Sequence, residues 1–171
     1  MAMLMFSVCS RYNNPYNYLH PEKVERPGNY ADFLRRDDVR QALHVGGRLF
    51  QELSIDVYFH MEPDMMVSVK PWVEELLNAG YRVVYYSGQM DIIVAYPLSV
   101  HFYASLQFDA AEEYHIAERV PWYVAGELAG YAKTAGNFTE VMVRNAGHMV
   151  PSDQPAWALD LVHRVTSGKG F

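Results

Sequence analysis

Cysteine is almost missing: Cys9 stands alone in a chain of 171 residues. One thiol makes no disulfide framework within the chain. Two readings of it stay open, a free buried thiol or half of a bridge to a segment outside this sequence. Long apolar runs are missing too. None reaches the roughly 20 residues that cross a bilayer as a helix. The apolar start, Met1 to Cys9, is short and has neither a basic leading region nor a cleavage site, so it does not read as a signal peptide. Basic charge is scarce, with 14 Lys and Arg against 20 Asp and Glu and a net charge of −6. An acidic chain without a basic stripe has no pull on nucleic acid or on anionic membranes, so neither is expected as a partner. His44, His60, His101, His115 and His163 form no His-x-x-x-His, and there is no Cys-x-x-Cys, so no metal site is expected. Gly46-Gly47 lacks the surroundings of a phosphate loop and reads as a helix stop.

What is present is ordinary globular composition: half the residues are hydrophobic and 20% are charged. That suits one domain with a modest core. Aromatics are plentiful, with 13 Tyr, 8 Phe and 3 Trp, and such side chains fill cores more often than they line clefts. Residues 1 to about 30 read as irregular, broken by Asn13, Asn14, Pro15, Pro21, Pro27 and Gly28. Asp32 to Val45 reads as a helix, or as a shorter one started by Asp37 and Asp38. Residues 48 to 66 are ambiguous. Val69, Trp72, Val73, Leu76 and Leu77 mark an amphipathic helix with Pro71 early and Gly80 just past its end. Tyr81 to Tyr86 is a short β-rich run directly after it, the pattern of a buried strand in an α/β sheet. A helix is expected from Pro97 to Leu106. Residues 108 to 121 are polar and indefinite, and Glu112-Glu113 reads as a solvated pair. Strands are expected at Trp122–Val124, Leu128–Lys133 and Thr139–Arg144. A last helix carries Trp157, Leu161 and Val165 on one face, with Asp153 as its cap and Gly168 as its stop.

Two strand ends carry chemistry. Asp91 follows the first strong strand in Tyr86-Ser87-Gly88-Gln89-Met90-Asp91. His148 follows the last in Ala146-Gly147-His148-Met149-Val150-Pro151. Working residues of open α/β sheets sit beyond the carboxyl ends of strands. Either residue alone is more often structural: a strand-end Asp as a turn former, a lone His as a satisfied core group. Together, an acid followed by a later histidine fits the tail of the Ser…Asp…His order. There the histidine takes a serine proton and returns it to the leaving group. The aspartate orients the ring and stabilises the imidazolium.

These residues resemble a known family. Tyr86 to Val94 is similar to the aspartate motif of serine carboxypeptidases, and Ala146 to Pro155 resembles their histidine motif closely. Val124 to Tyr131, with Asn137-Phe138-Thr139, resembles the hairpin between them. Asp38 to Val45 resembles the helix that ends the cap insertion, and Gly168-Lys169-Gly170-Phe171 looks like the vitellogenic-like branch. The resemblance runs from about residue 30 to the end, and more loosely upstream. It implies an α/β-hydrolase fold, with residues 1–66 as the end of the cap insertion and residues 67–171 as the carboxy-terminal part of the sheet domain. It implies release of carboxy-terminal residues from peptide substrates through an acyl-enzyme, with no cofactor. Asp91 and His148 match the triad acid and base, Met149 a position lining the pocket for the substrate's terminal residue, and Ile93 and Val94 positions near the pocket for the penultimate one.

The departures carry as much weight. No serine lies in a Gly-x-Ser-x-Gly setting, and Ser87 belongs to the aspartate motif. In the family the nucleophile, the oxyanion hole and the acids that hold the substrate carboxylate come from the amino-terminal half. The expectation is a fragment, a mis-started reading frame or one chain of a cleaved enzyme, inactive by itself and poorly soluble alone. Its partner would be the missing amino-terminal half, with a homodimer left open. Cys9 sits where the family has a cap-region cysteine, so the resemblance places its partner in that missing half. The family works on secretory, lysosomal or vacuolar routes, and the sequon Asn137-Phe138-Thr139 is expected to be glycosylated, in keeping with such a route. Two other readings stand beside this one: another α/β-hydrolase, such as an esterase or lyase, and a non-catalytic binding protein that kept the shape.

Overall fold

Two periodicities become two kinds of element, and the elements gather into two bodies. The structure is a computed structural model that describes residues 14–20, 30–51 and 54–171. One body is Val24–Ser68; the other joins Met1–Lys23 to Val69–Phe171. Residues 14–20, which the sequence groups with 1–66, pack with the carboxy-terminal body.

The Val24–Ser68 body is helical. The single helix expected over 32–45 is two short ones, α1 (Tyr30–Arg35) and α2 (Asp37–Ala42). Arg36 between them is extended (φ −62°, ψ 141°), and Asp37 and Asp38 fill the first turn of α2, where acids meet the helix dipole favourably. The ambiguous stretch forms α3 (Ile55–Met65), whose cap Ser54 accepts a hydrogen bond from the Val57 N–H.

The larger body is a four-stranded mixed sheet between helices. Its elements are α4 (Lys70–Asn78), β1 (Val83–Gly88), α5 (Tyr96–Ser105), α6 (Ala111–Ile116), β2 (Val120–Val124), β3 (Glu127–Ala135), β4 (Phe138–Val143), α7 (Val150–Asp153) and α8 (Pro155–Ser167). The sheet order is β1-β4-β3-β2. β1 runs parallel to β4, from Val83 opposite Phe138 to Gly88 opposite Val143. β2, β3 and β4 are antiparallel neighbours. Two-residue turns make both hairpins. Ala125 and Gly126 both have positive φ, as a tight turn between twisted strands requires.

Alternation along the strands supplies two cores. Val84, Trp122, Val141 and Val143 face α8, where Trp157, Ala158, Leu161 and Val165 meet them. Val83, Tyr85 and Phe138 face the opposite way, onto Val73 and Leu77 of α4, Tyr103 of α5 and Tyr114 of α6. Six aromatics gather there: the rings of Tyr85, Tyr103, Phe108 and Tyr114 all lie 5.3–6.3 Å from that of Phe138. α6 falls within the stretch that read as indefinite, because only one of its side chains, Tyr114, is buried. Gly168 ends α8 in the left-handed conformation (φ 72°).

Candidate active site

Parallel neighbours put their carboxyl ends on the same side, so β1 and β4 deliver their following loops to one place. The loops are stitched together: the Gln89 N–H donates to Val143 O and the Met90 N–H to Ala146 O. The approach is close enough to need glycine. A Cβ on Gly88 would lie 2.1 Å from Gly147 O and 2.5 Å from Ala146 O.

The result is a bonded acid–histidine pair. His148 Nδ1 lies 2.9 Å from Asp91 Oδ2. A carboxylate only accepts, so the Nδ1 proton points at Asp91 and Nε2 is the ring atom turned to other partners. Asp91 is buried at 6% exposure, whereas the His148 side chain is 33% exposed. The other oxygen of Asp91 accepts from the Ile93 and Val94 N–H groups at 2.7 and 3.1 Å. The carboxylate is thus held on both sides, one oxygen by the imidazole and the other by two backbone amides. The Tyr16 ring lies 5.6 Å from the imidazole.

The other residues singled out in the sequence fall as follows. Ile93, Val94 and Met149 are 38%, 49% and 52% exposed, on the two loops that hold the pair; they are not core side chains. Asn137 lies in the turn between β3 and β4. Its Nδ2, the atom that would carry a sugar, donates to Leu77 O and Tyr81 O at 2.8 and 2.7 Å. An attached glycan would remove one of those two donors. Cys9 lies outside the described residues. Among the described residues no three of His, Cys, Asp and Glu gather closely enough to hold a metal ion.

Two placements differ from the sequence reading. Asp153 does not cap the last helix: it ends α7, and Gln154 precedes α8 with no side-chain cap bond. Asp153 Oδ2 instead accepts from the Gly147 N–H at 2.8 Å and from Asn17 Nδ2 at 2.9 Å. The reason is the extra turn Val150–Asp153, which places the carboxylate under the histidine loop. Glu140 was unforeseen. It sits in the middle of β4, 2% exposed, where the sequence shows only an alternating strand. It accepts from the Tyr114 hydroxyl at 2.8 Å, the Tyr96 hydroxyl at 3.2 Å and Arg119 Nε at 3.3 Å. Burial and the neighbouring Glu140 charge push both tyrosines well above the ordinary phenol range. Strand alternation was the available signal, since it sends residue 140 to the same face as Phe138.

Comparison with known proteins gives the family and the fold. The sequence profile described as serine carboxypeptidase matches residues 9–168. The chain is 49% identical over 157 residues to a venom serine carboxypeptidase of Apis mellifera, covering 91% of this chain and 33% of that one. It is 40% identical over 164 residues to a vitellogenic carboxypeptidase of Aedes aegypti (94% and 35% covered) and 39% identical over 166 residues to a probable serine carboxypeptidase of Homo sapiens (95% and 34%). The chain therefore spans about a third of the length of the curated relatives it matches. A crystal structure of a prohormone-processing carboxypeptidase from Saccharomyces cerevisiae superposes with a TM-score of 0.68 at 21% identity, over 91% of this chain and 36% of that one. That likeness shows the α/β-hydrolase fold.

Proposed function

The chain belongs to the serine carboxypeptidase family, and from that premise we propose that it supplies the acid and base of a serine-type carboxypeptidase that releases carboxy-terminal residues from peptides. The observation that carries the reading is the His148 Nδ1–Asp91 Oδ2 bond of 2.9 Å at the carboxyl ends of two parallel strands. Nε2 takes the proton of a serine hydroxyl as its oxygen attacks the scissile carbonyl. It passes that proton to the departing amino group, leaving an acyl-enzyme. Water then enters by the same base and frees the shortened peptide. Asp91 fixes the Nδ1–H tautomer and offsets the imidazolium charge. Ile93 and Val94 form part of the wall for the penultimate residue and Met149 part of the wall for the terminal one.

The nucleophile, the oxyanion donors and the groups for the substrate carboxylate come from an amino-terminal part of the enzyme. One feature suits such a partner: β1, an outer strand of the described sheet, bonds only to β4 and leaves Tyr86 exposed. The route is secretory or lysosomal. The test joins this sequence to its amino-terminal part and assays release of carboxy-terminal residues. His148→Ala should lower kcat by roughly four orders of magnitude or more, since triad members act as a unit. Near-parental turnover would refute the assignment. Labelling of the 171-residue chain alone by a serine-directed inhibitor would refute its dependence on an outside nucleophile.

A further inference from the structure

We propose that the segment Asn14–His20 is a clasp that sets the geometry of the acid–base pair, with Asn17 as a positioning residue that acts on His148 through Asp153. This rests on the proposed catalytic reading of Asp91 and His148. The segment has no helix or strand, yet it grips the chain on both sides of Asp91: the Tyr18 N–H donates to Met90 O at 3.2 Å, and the Ile92 N–H donates to Pro15 O at 3.2 Å. It grips the histidine loop as well. The His148 N–H donates to Tyr16 O at 2.6 Å, and the preceding Gly147 N–H donates to Asp153 Oδ2, the oxygen that Asn17 Nδ2 also reaches. Both amides leading into the catalytic ring therefore bond either to the clasp or to a group the clasp holds.

Asn17 is built for one orientation. It is 3% exposed, its Oδ1 accepts from the Leu19 N–H at 3.1 Å, and its Nδ2 donates to the carboxylate at 2.9 Å. An aspartate could not donate there, and a smaller residue would leave the Asp153 oxygen with one partner fewer. The fit is tight, since a Cβ on Gly147 would lie 1.9 Å from Tyr16 O and 2.6 Å from Asn17 Cβ. Asp91 and His148 are 57 residues apart and ride on different loops, so their separation depends on what holds the loops together. Four hydrogen bonds from one short strap, to Met90, Ile92, His148 and Asp153, do that.

The experiment uses the complete carboxypeptidase, with Asn17→Ala, Asp153→Ala, the double variant and Asp153→Asn. Asn17→Ala should lower kcat by about 10- to 100-fold with KM little changed, because the ring is displaced while the substrate walls stay. The double variant should be no worse than the poorer single one, as two residues acting through one bond require. Asp153→Asn keeps an acceptor oxygen and should retain most of the activity. The downfield Nδ1 proton resonance of His148 should broaden or shift in Asn17→Ala. A kcat within twofold of the parent, or a double variant with fully additive loss, would overturn the proposal. Should the parent enzyme show no peptidase activity, the functional reading falls by itself. The histidine resonance then decides the clasp: unchanged in Asn17→Ala, the proposal is overturned; perturbed, it stands.

Discussion

The two bodies of this chain are made from similar proportions of apolar side chains and use them differently. In the sheet body, strand alternation and one-faced helices send Val141, Val143, Phe138, Trp122 and Leu161 inward. In the Val24–Ser68 body the only buried side chain among the described residues is that of Ala31. Val57, Phe59, Met65 and Met66 stand 60–91% exposed. Its ion pairs, Arg35–Asp32, Arg36–Asp38 and Arg40–Asp37, include at least one well-exposed partner each. Such pairs contribute about 0–1 kcal/mol. The difference teaches that α1–α3 draw little from each other, whereas the sheet body holds its site with an interior of its own.

That contrast can be broken at graded cost. Beyond His148→Ala, the largest effect is expected from Gly147→Ala. Its Cβ must push aside Tyr16 O and Asn17, at about 1–3 kcal/mol or more of overpacking. We expect a loss of kcat of at least 10-fold, measured alongside thermal unfolding. Glu140→Ala comes next. It strips the acceptor from two tyrosine hydroxyls and from the half-exposed Arg119, and on the order of 3 kcal/mol should be lost in chemical unfolding, with Glu140→Gln losing less.

Asp160→Ala should cost about 1–3 kcal/mol, because it leaves the buried Trp122 Nε1–H without its acceptor. Part of that cost is pH-dependent. Burial raises the Asp160 carboxyl, but the bonds from Arg164 and Trp122 outweigh it and hold the group below its ordinary value. A depressed folded value means the contribution is present above the unfolded carboxyl value and is lost as pH falls through the folded one. The gap between parent and variant should therefore narrow in acid, as denaturant titrations at several pH values would show. The smallest effect belongs to the other body: Met66→Ser, at a site 91% exposed, should change stability by less than about 0.5 kcal/mol. A large change there would mean that α1–α3 have an interior the present structure does not contain, and would erase the comparison.

Asn137 sharpens the picture from another side. The sequon marks it for a sugar, while its Nδ2 already bonds two carbonyls at the end of α4 and the turn after it. Mass spectrometry of native material decides between the roles. A glycan on Asn137 would show that the turn tolerates the loss of one donor, and a bare side chain would identify a structural asparagine.

Local information is what the sequence by itself determined. Helix α4 between Pro71 and Gly80, the strand that follows it, the β3–β4 turn at Gly136-Asn137 and the left-handed stop at Gly168 all follow from spacing, capping and turn chemistry over a few residues. The order of Asp91 and His148 after two strands was legible for the same reason. Tertiary structure alone decided which loops met. Residues 14–20 carry no period, because the bonds that tie them to the sheet body run to chain positions more than 70 residues away. Asp153 looked like a helix cap until an extra turn carried it beneath Gly147. Glu140 looked like any polar strand residue until α5 and α6 brought Tyr96 and Tyr114 over it. Short-range propensity is written in neighbouring residues, whereas a buried carboxylate's partners and a clasp's grip exist only once distant segments are packed together.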